Sequence, residues 1–365
     1  MRRSLEDIAK LVGVSKSTVS RALADSPLVK AETKKRIQDI AGALLYQPNS
    51  IARAFATKRS GIIGFCMYKD NAPYFGHTFY GPILDSVIAE AHQDGYHVLL
   101  STTNQQEYTF DEYFMRDSID GVILGANITV TLVEEFGRRN IPLVALNDVA
   151  PTPHNAFIVD DNRGGVSLLM EHLVRAKGHR RIALFTDTLT HVSYFLRYLS
   201  YLDALEAYGL TPYQNSALRL PEEKLAVPER VLLSAKLYGM RVPPVRPAPV
   251  MSLDGSMQAV EDAVRTLVES GNLPTAIIAI CDNMAMKVIR SLLKCGLRVP
   301  EDIAVVGYDD ITMASHFVPG LTSIAVDRKA IGARAVQELM AQIKDPARES
   351  RTVVIPNRLV VRGSG

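Results

Sequence analysis

The chain is 365 residues long, with 47% apolar and 22% charged residues and a net charge of +2. That length exceeds what one hydrophobic core serves, so two or three domains are expected, and the composition is that of a globular protein rather than a disordered one. No run of 18 apolar residues occurs, polar breaks interrupt the N-terminal stretch where a signal peptide needs an apolar run, and Cys66, Cys281 and Cys295 form no CxxC or Cys/His cluster; these features argue against membrane spanning, export, a disulfide framework and a zinc site, and a cytoplasmic protein with reduced thiols is expected.

The charge is unevenly placed. Residues 1–60 hold 12 Lys and Arg against 5 Asp and Glu, a net of +7, which leaves −5 for the remainder. A basic block of this kind is either a solvated face or a nucleic-acid surface, and local patterning decides between them. Within SLEDIAKLVG, Ser4 and Asp7 make a capping box, Leu5, Ile8, Ala9 and Val12 recur at helical spacing, and Gly13 stops the helix. In GVSKSTVSRAL, Ser15 is a second N-cap. Val19, Ala22 and Leu23 form the stripe to be buried, and Lys16, Ser17, Ser20 and Arg21 fall on the outer side. A third helix follows with Ile37, Ile40, Ala41 and Leu44 as its stripe. Two short helices across a tight turn, braced by a third, form a helix-turn-helix whose second helix offers its first residues to base edges in the major groove. Ser15, Lys16, Ser17, Thr18, Ser20 and Arg21 are therefore candidate DNA contacts. The short hydroxyls allow close approach to phosphates, and Lys16 and Arg21 can donate to guanine O6 and N7.

Next comes YQPNSIARAFATKRSG, residues 46–61, in which Asn49 is a good N-cap and Ile51, Ala52 and Phe55 make a short apolar strip. A helix this short is marginal alone, so the segment is expected to order when two copies pack together on DNA, with an apolar wedge entering the minor groove. Asn49, Ala52, Arg53 and Phe55 are its candidate DNA contacts.

Beyond residue 60 the pattern changes to alternating strands and helices. Apolar runs suited to buried parallel strands occur at IIGFCMY, HVLLSTT, GVILGA, PLVALN, RIALFTD, AIIAICD and IAVVGYDD. This is a doubly wound α/β pattern occurring twice, and such sheets gather ligands at the carboxyl ends of their strands, so two facing lobes make a cleft. Candidate effector residues sit at those ends: Asn147 after PLVAL, Arg197 at the opening of a helix, Cys281 after AIIAI and Asp309 after IAVVGY, with Tyr74 and Phe75 in the loop after the first strand. Together they offer an amide, a guanidinium fork, a carboxylate and aromatic faces, the groups that hold a polyol.

LEDIAKLVGVSKSTVSRAL, YQPNSIARAF, VDDNRGG, GHRRIA and LRVPEDIAVVGYDDI together resemble the LacI/GalR family of bacterial transcription regulators along nearly the whole chain. The resemblance implies an N-terminal helix-turn-helix domain at 1–46, a hinge segment at 47–60, and a two-lobed periplasmic-binding-protein-like core at 61–365. The N-lobe would comprise 61–160 and 325–346, and the C-lobe 161–324 and 347–365, with crossings near 161, 324 and 347. It also implies effector contacts at Asn147, Arg197 and Asp309. The chain departs from the family in four respects: Phe55 replaces the minor-groove leucine, Lys30 replaces the Ser or Asp that caps the third helix, Cys281 replaces an Asn common in effector pockets, and there is no Trp. The Pro-rich stretch 237–255 sits where the family is shorter and is read as a surface insertion.

Rival readings are a periplasmic-type sugar-binding protein, which would have no use for residues 1–60, and an enzyme, for which the chain offers no P-loop, GxGxxG, HExxH or GxSxG motif. No cofactor is expected. The reading reached from sequence is a homodimeric repressor of a pseudo-palindromic double-stranded DNA operator. A small metabolite in the cleft, a sugar or sugar derivative with a nucleoside or purine as the alternative, would control it. No heptad tail follows RTVVIPNRLVVRGSG, so a dimer rather than a coiled-coil tetramer is expected.

Overall fold

The computed structural model describes residues 4–23, 26–44, 46, 59–68, 78–103, 119–125, 130–148, 155–215, 226–243, 250–251 and 255–365. The chain divides into two compact units, residues 1–61 and 62–365.

The first unit contains helices α1 (Leu5–Val12), α2 (Lys16–Leu23) and α3 (Ala31–Ala43). The capping box forms as the spacing predicts: the Ser4 hydroxyl accepts from the Asp7 amide at 3.3 Å, and the Asp7 carboxylate accepts from the Ser4 amide at 2.8 Å. Gly13 ends α1 at φ 77°, a conformation that residues with a Cβ rarely adopt. Ile8, Ala9, Val12, Val19, Ala22, Val29, Ile37 and Ala41 form one small core, with Ile40 and Leu44 packed at its edge. Lys30 stands before α3 without a side-chain cap, and Glu32 in the first turn supplies the negative charge that suits a helix start.

The second unit holds two six-stranded sheets. The first has the order β11-β5-β4-β3-β1-β2, with β1 Ile62–Tyr68, β2 His97–Thr103, β3 Gly121–Gly125, β4 Leu143–Leu146, β5 Ala156–Asp160 and β11 Arg351–Ile355, all parallel. The second has the order β12-β10-β9-β8-β6-β7, with β6 Ile182–Thr186, β7 Val250–Met251, β8 Ala276–Ala279, β9 Ala304–Asp309, β10 Thr322–Ala325 and β12 Arg358–Val360. Only β12 runs antiparallel to its neighbour. Each is a doubly wound sheet. Helices α4 (Tyr80–Gln93), α5 (Val130–Arg138) and α12 (Arg328–Lys344) belong with the first sheet, and α6 (Asn162–Glu171), α7 (Val192–Ala207), α8 (Glu229–Leu237), α9 (Met257–Glu269), α10 (Asp282–Lys294) and α11 (Thr312–His316) with the second. Strand alternation sorts the first sheet's side chains cleanly: Ile123, Val144, Leu146, Ala156 and Ile158 face one core, while Val122, Leu124, Leu143, Ala145, Phe157 and Val159 face another.

Three features depart from the sequence reading. The chain crosses between sheets after β5, after β10 and a third time between Ile355 and Arg358, so β11 still pairs with β5 and the third crossing lies beyond the expected position near 347. Residues 347–355 therefore belong to the first lobe. Arg197 lies in the second turn of α7 rather than at its opening. The Pro-rich stretch is not purely a surface insertion: Val250–Met251 adds edge strand β7 to the second sheet, and Met240 is buried.

Candidate DNA-reading face and effector cleft

On the first unit, Lys16, Ser17, Ser20 and Arg21 all lie exposed on α2. Ser15 is occupied locally. Its hydroxyl accepts from the Thr18 amide at 3.1 Å and lies 2.8 Å from both the Ser17 and Thr18 hydroxyls. This network caps α2 and fixes the first turn, the part of a recognition helix that meets the bases. Asn49, Ala52, Arg53 and Phe55, and likewise Tyr74 and Phe75, fall outside the described residues.

In the second unit the carboxyl ends of the two sheets come together. Arg197, 3% exposed, is the centre. Its Nε donates to Asn162 Oδ1 at 2.8 Å, Nη1 to the Ile280 carbonyl at 2.7 Å, and Nη2 to Asp309 Oδ1 at 3.2 Å, with Asp160 Oδ2 at 3.7 Å. Its guanidinium lies 3.6 Å from the centre of the Tyr308 ring. Asp160 ends β5 and Asp309 ends β9, so one arginine joins strand ends of both lobes. Tyr308 and Asn357 complete the knot. The Tyr308 hydroxyl donates to Asp160 Oδ2 at 3.1 Å, and the Asn357 amide donates to the Tyr308 hydroxyl at 2.7 Å and to the Asp161 carbonyl at 3.0 Å. The chain fits closely here: a Cβ on Gly165 would stand 2.3 Å from the Tyr308 hydroxyl oxygen.

The other candidates surround this knot. Asn147 (φ 53°) follows β4 and accepts from the Asp160 amide at 3.4 Å. Cys281 precedes α10 and interacts with Tyr194. Asp309 has φ 107°, an unusual conformation for a residue with a Cβ, and its backbone carbonyl is held by Arg328. Backbone strain at a ligand-facing strand end is a recurring feature of binding sites.

Burial sets the protonation states. It pushes the Asp309 carboxyl up to about 6, against the pull of Arg197, and the Cys281 thiol up to about 11, leaving a neutral S–H. Burial alone would weaken the charge on Arg197, but the Asp309 and Asp160 carboxylates outweigh it and raise its pKa. His191, just before α7, is driven down to about 4 by burial and then by Arg197 and Arg230, so its imidazole is neutral. Its Nδ1 is shielded from solvent with no hydrogen-bond partner among the described residues.

Sequence reasoning named Asn147, Arg197, Cys281 and Asp309, and the structure brings all four to the junction of the strand ends. It did not name Asp160, Asn162, Tyr308, His191 or Asn357 as site residues. Asp160 and Asn162 lie in VDDNRGG, whose run of polar residues directly after a strand is a readable signal; Asn357 and His191 offered none.

A two-lobed α/β core with a polar cleft, joined to a helix-turn-helix unit, defines a DNA-binding regulator governed by a small molecule. Residues 4–49 match the bacterial regulatory proteins of the lacI family, and residues 170–365 match the periplasmic binding protein-like domain. The chain belongs to the lacI family of bacterial transcription regulators. It is 25% identical over 371 residues to the HTH-type transcriptional repressor PurR of Glaesserella parasuis serovar 5, covering 99% of this chain and 98% of the relative. Among solved structures, the lac repressor dimer bound to operator and the anti-inducer ONPF matches with a TM-score of 0.76 at 25% identity, over 100% of this chain and 99% of that one. The transcriptional regulator CelR in complex with cellobiose matches with a TM-score of 0.67 at 26% identity, over the full length of both. Family membership sets aside the enzyme reading. No helix among the described residues is long and apolar enough to cross a membrane.

Proposed function

We propose that the protein acts as a homodimeric repressor that reads a pseudo-palindromic operator through Lys16, Ser17, Ser20 and Arg21, and that an uncharged, hydroxyl-rich effector, a sugar or sugar derivative, governs it from the cleft. The observation that carries the effector reading is the pairing of Arg197 with Asp309 and Asp160 across the strand ends. The buried arginine already has two carboxylates, and Arg230 nearby has Asp148. Neither is a free cation waiting for an anionic ligand, whereas Asp309, Asn147 and the neutral His191 imidazole supply the acceptors and donors that order hydroxyl groups. A cellobiose-bound relative agrees with this chemistry. A second reading, a nucleoside or purine effector, draws on the PurR relatives and on the Tyr80 and Tyr194 rings near the cleft.

The test is a thermal-shift screen of the full chain against neutral sugars, sugar acids, sugar phosphates and nucleosides, followed by calorimetry on Asp309→Asn with each hit. Neutral sugars are expected to lead, and loss of the carboxylate to weaken binding by ~1 to 3 kcal/mol. Nucleosides leading, or an unchanged affinity in Asp309→Asn, would overturn the reading.

A further inference from the structure

Helix α8 borders the Arg197 knot and enters the effector reading only through its Arg230, which is already paired. It packs against α7 of the second lobe through Val231 and Ala235. Its polar side reaches the other lobe. Arg230 Nη1 meets Asp148 Oδ2 at 2.5 Å, and the Ser234 hydroxyl lies 3.3 Å from Asp148 Oδ1. Asp148 follows Asn147 at the end of β4, a first-sheet strand, and is 3% exposed. One turn on, Tyr238 packs against two cores, one of them built entirely of first-lobe residues such as Leu124, Ala145 and Phe157. The junction beyond it is loose: a cavity of about 160 Å³ is lined by Asp160, Leu196, Tyr238, Met240 and Val354, contributed by both lobes.

We propose that α8 and its continuation to Met240 form a clasp that holds the two lobes together at the mouth of the cleft, with Arg230–Asp148 as its releasable latch. The pair suits that role. Asp148 is shielded, but the Arg230 side chain is 25% exposed, so water can replace it without unfolding either lobe. The cavity behind Tyr238 leaves that side of the ring unpacked, so lifting the clasp gives up the Tyr238 contact with the first-lobe core but none there. The position of Asp148 beside Asn147 sets the clasp next to the cleft, so whatever occupies the cleft acts on the same strand end that the latch grips. Two packed bodies that pivot at the Arg197 knot and are held at a second point by a breakable pair form the bistable element that switching requires. The proposal is independent of effector identity and is tested without ligand or operator.

The measurement is hydrogen exchange by mass spectrometry on the full chain, comparing wild type with Arg230→Ala, Asp148→Asn, Arg230→Lys and the reversed pair Arg230→Asp with Asp148→Arg. Arg230→Ala and Asp148→Asn should speed exchange about tenfold both in α8 and at the ends of β4 and β5, including the Asn147 and Asp160 amides, while β8 and β9 keep their wild-type protection. Arg230→Lys should stay within about twofold of wild type, and a folded reversed pair should recover most of the protection. The radius of gyration in solution should rise with the two single losses of charge. Faster exchange confined to α8, with β4 and β5 unmoved, would overturn the proposal, because the pair would then staple its own helix and not the lobes; so would Arg230→Lys behaving as Arg230→Ala.

Discussion

Two arginines join the lobes, and they do so in opposite ways. Arg197 is almost wholly enclosed and is fixed by an amide, a carbonyl, two carboxylates and an aromatic face. Arg230 has one carboxylate and partial access to water. The first arrangement is over-determined: Arg197 stays paired when one contact is lost, and only its removal strands buried carboxylates, whereas the second gives way at one point. The difference separates a pivot from a latch, and substitutions at each should differ in size and in kind.

The largest effect is expected at the pivot. Arg197→Ala leaves Asp160 and Asp309 facing each other without their cation, and should destabilise the core by ~3 to 5 kcal/mol in urea denaturation. A loss below about 1 kcal/mol would show that the knot is loosely held and would erase the contrast with Arg230.

A smaller effect, signed by pH, sharpens the picture of the pivot's surroundings. The folded pKa of His191 is pushed below the ordinary 6.5 to about 4, so the unfolded chain binds that proton first. Its contribution is complete above pH 6.5 and is lost as pH falls toward 4. Asp309 works in reverse: its folded pKa, raised from 3.8 to about 6, makes the folded chain bind the proton first, so stability is gained as pH falls from 6 to 4. His191→Gln removes the first contribution and keeps the second, and its stability should fall less than that of the wild type between pH 6.5 and 5, by ~1 to 2 kcal/mol. Parallel pH curves for the two proteins would refute the neutral, shielded imidazole.

The smallest change in global stability belongs to the latch. Arg230→Ala should cost at most ~1 kcal/mol in the same urea titration, because Asp148 keeps the Ser234 hydroxyl as a donor and gains water through the space the part-exposed Arg230 side chain vacates. A cost equal to that of Arg197→Ala would make Arg230 a second pivot.

The two regions also differ in how much of them can be read from sequence. The helix-turn-helix is local: Ser4 finds Asp7 three residues away and Ser15 finds Thr18 at the same spacing, so capping and periodicity carry the whole description. Most buried strands announce themselves as apolar runs, β4 and β8 in only 4 residues each, whereas β5, whose AFIVD runs straight into the polar DNRGG, and β10, whose TSIA is half polar, do not stand out from their flanks. At the site, Arg197 and Asp309 were legible because the family resemblance pointed to them. The Tyr308, Asp160 and Asn357 contacts close over separations of 148 and 197 residues, and Arg230 meets Asp148 over 82, distances at which pattern gives no pairing. Those contacts follow from topology, which places the strand ends of two sheets face to face.

The three crossings between the lobes have a mechanical meaning. Asn357 in the third crossing is tied to Asp161 in the first, and Arg328, just past the second, grips the carbonyls of Asp309 and Asp310 at the end of β9. Cords gathered and bound in this way behave as a flexure: they bend and twist, but they resist sliding and pulling apart. The lobes are therefore left with rotation as their easy motion, and a molecule lodged in the cleft can be sensed only as an angle.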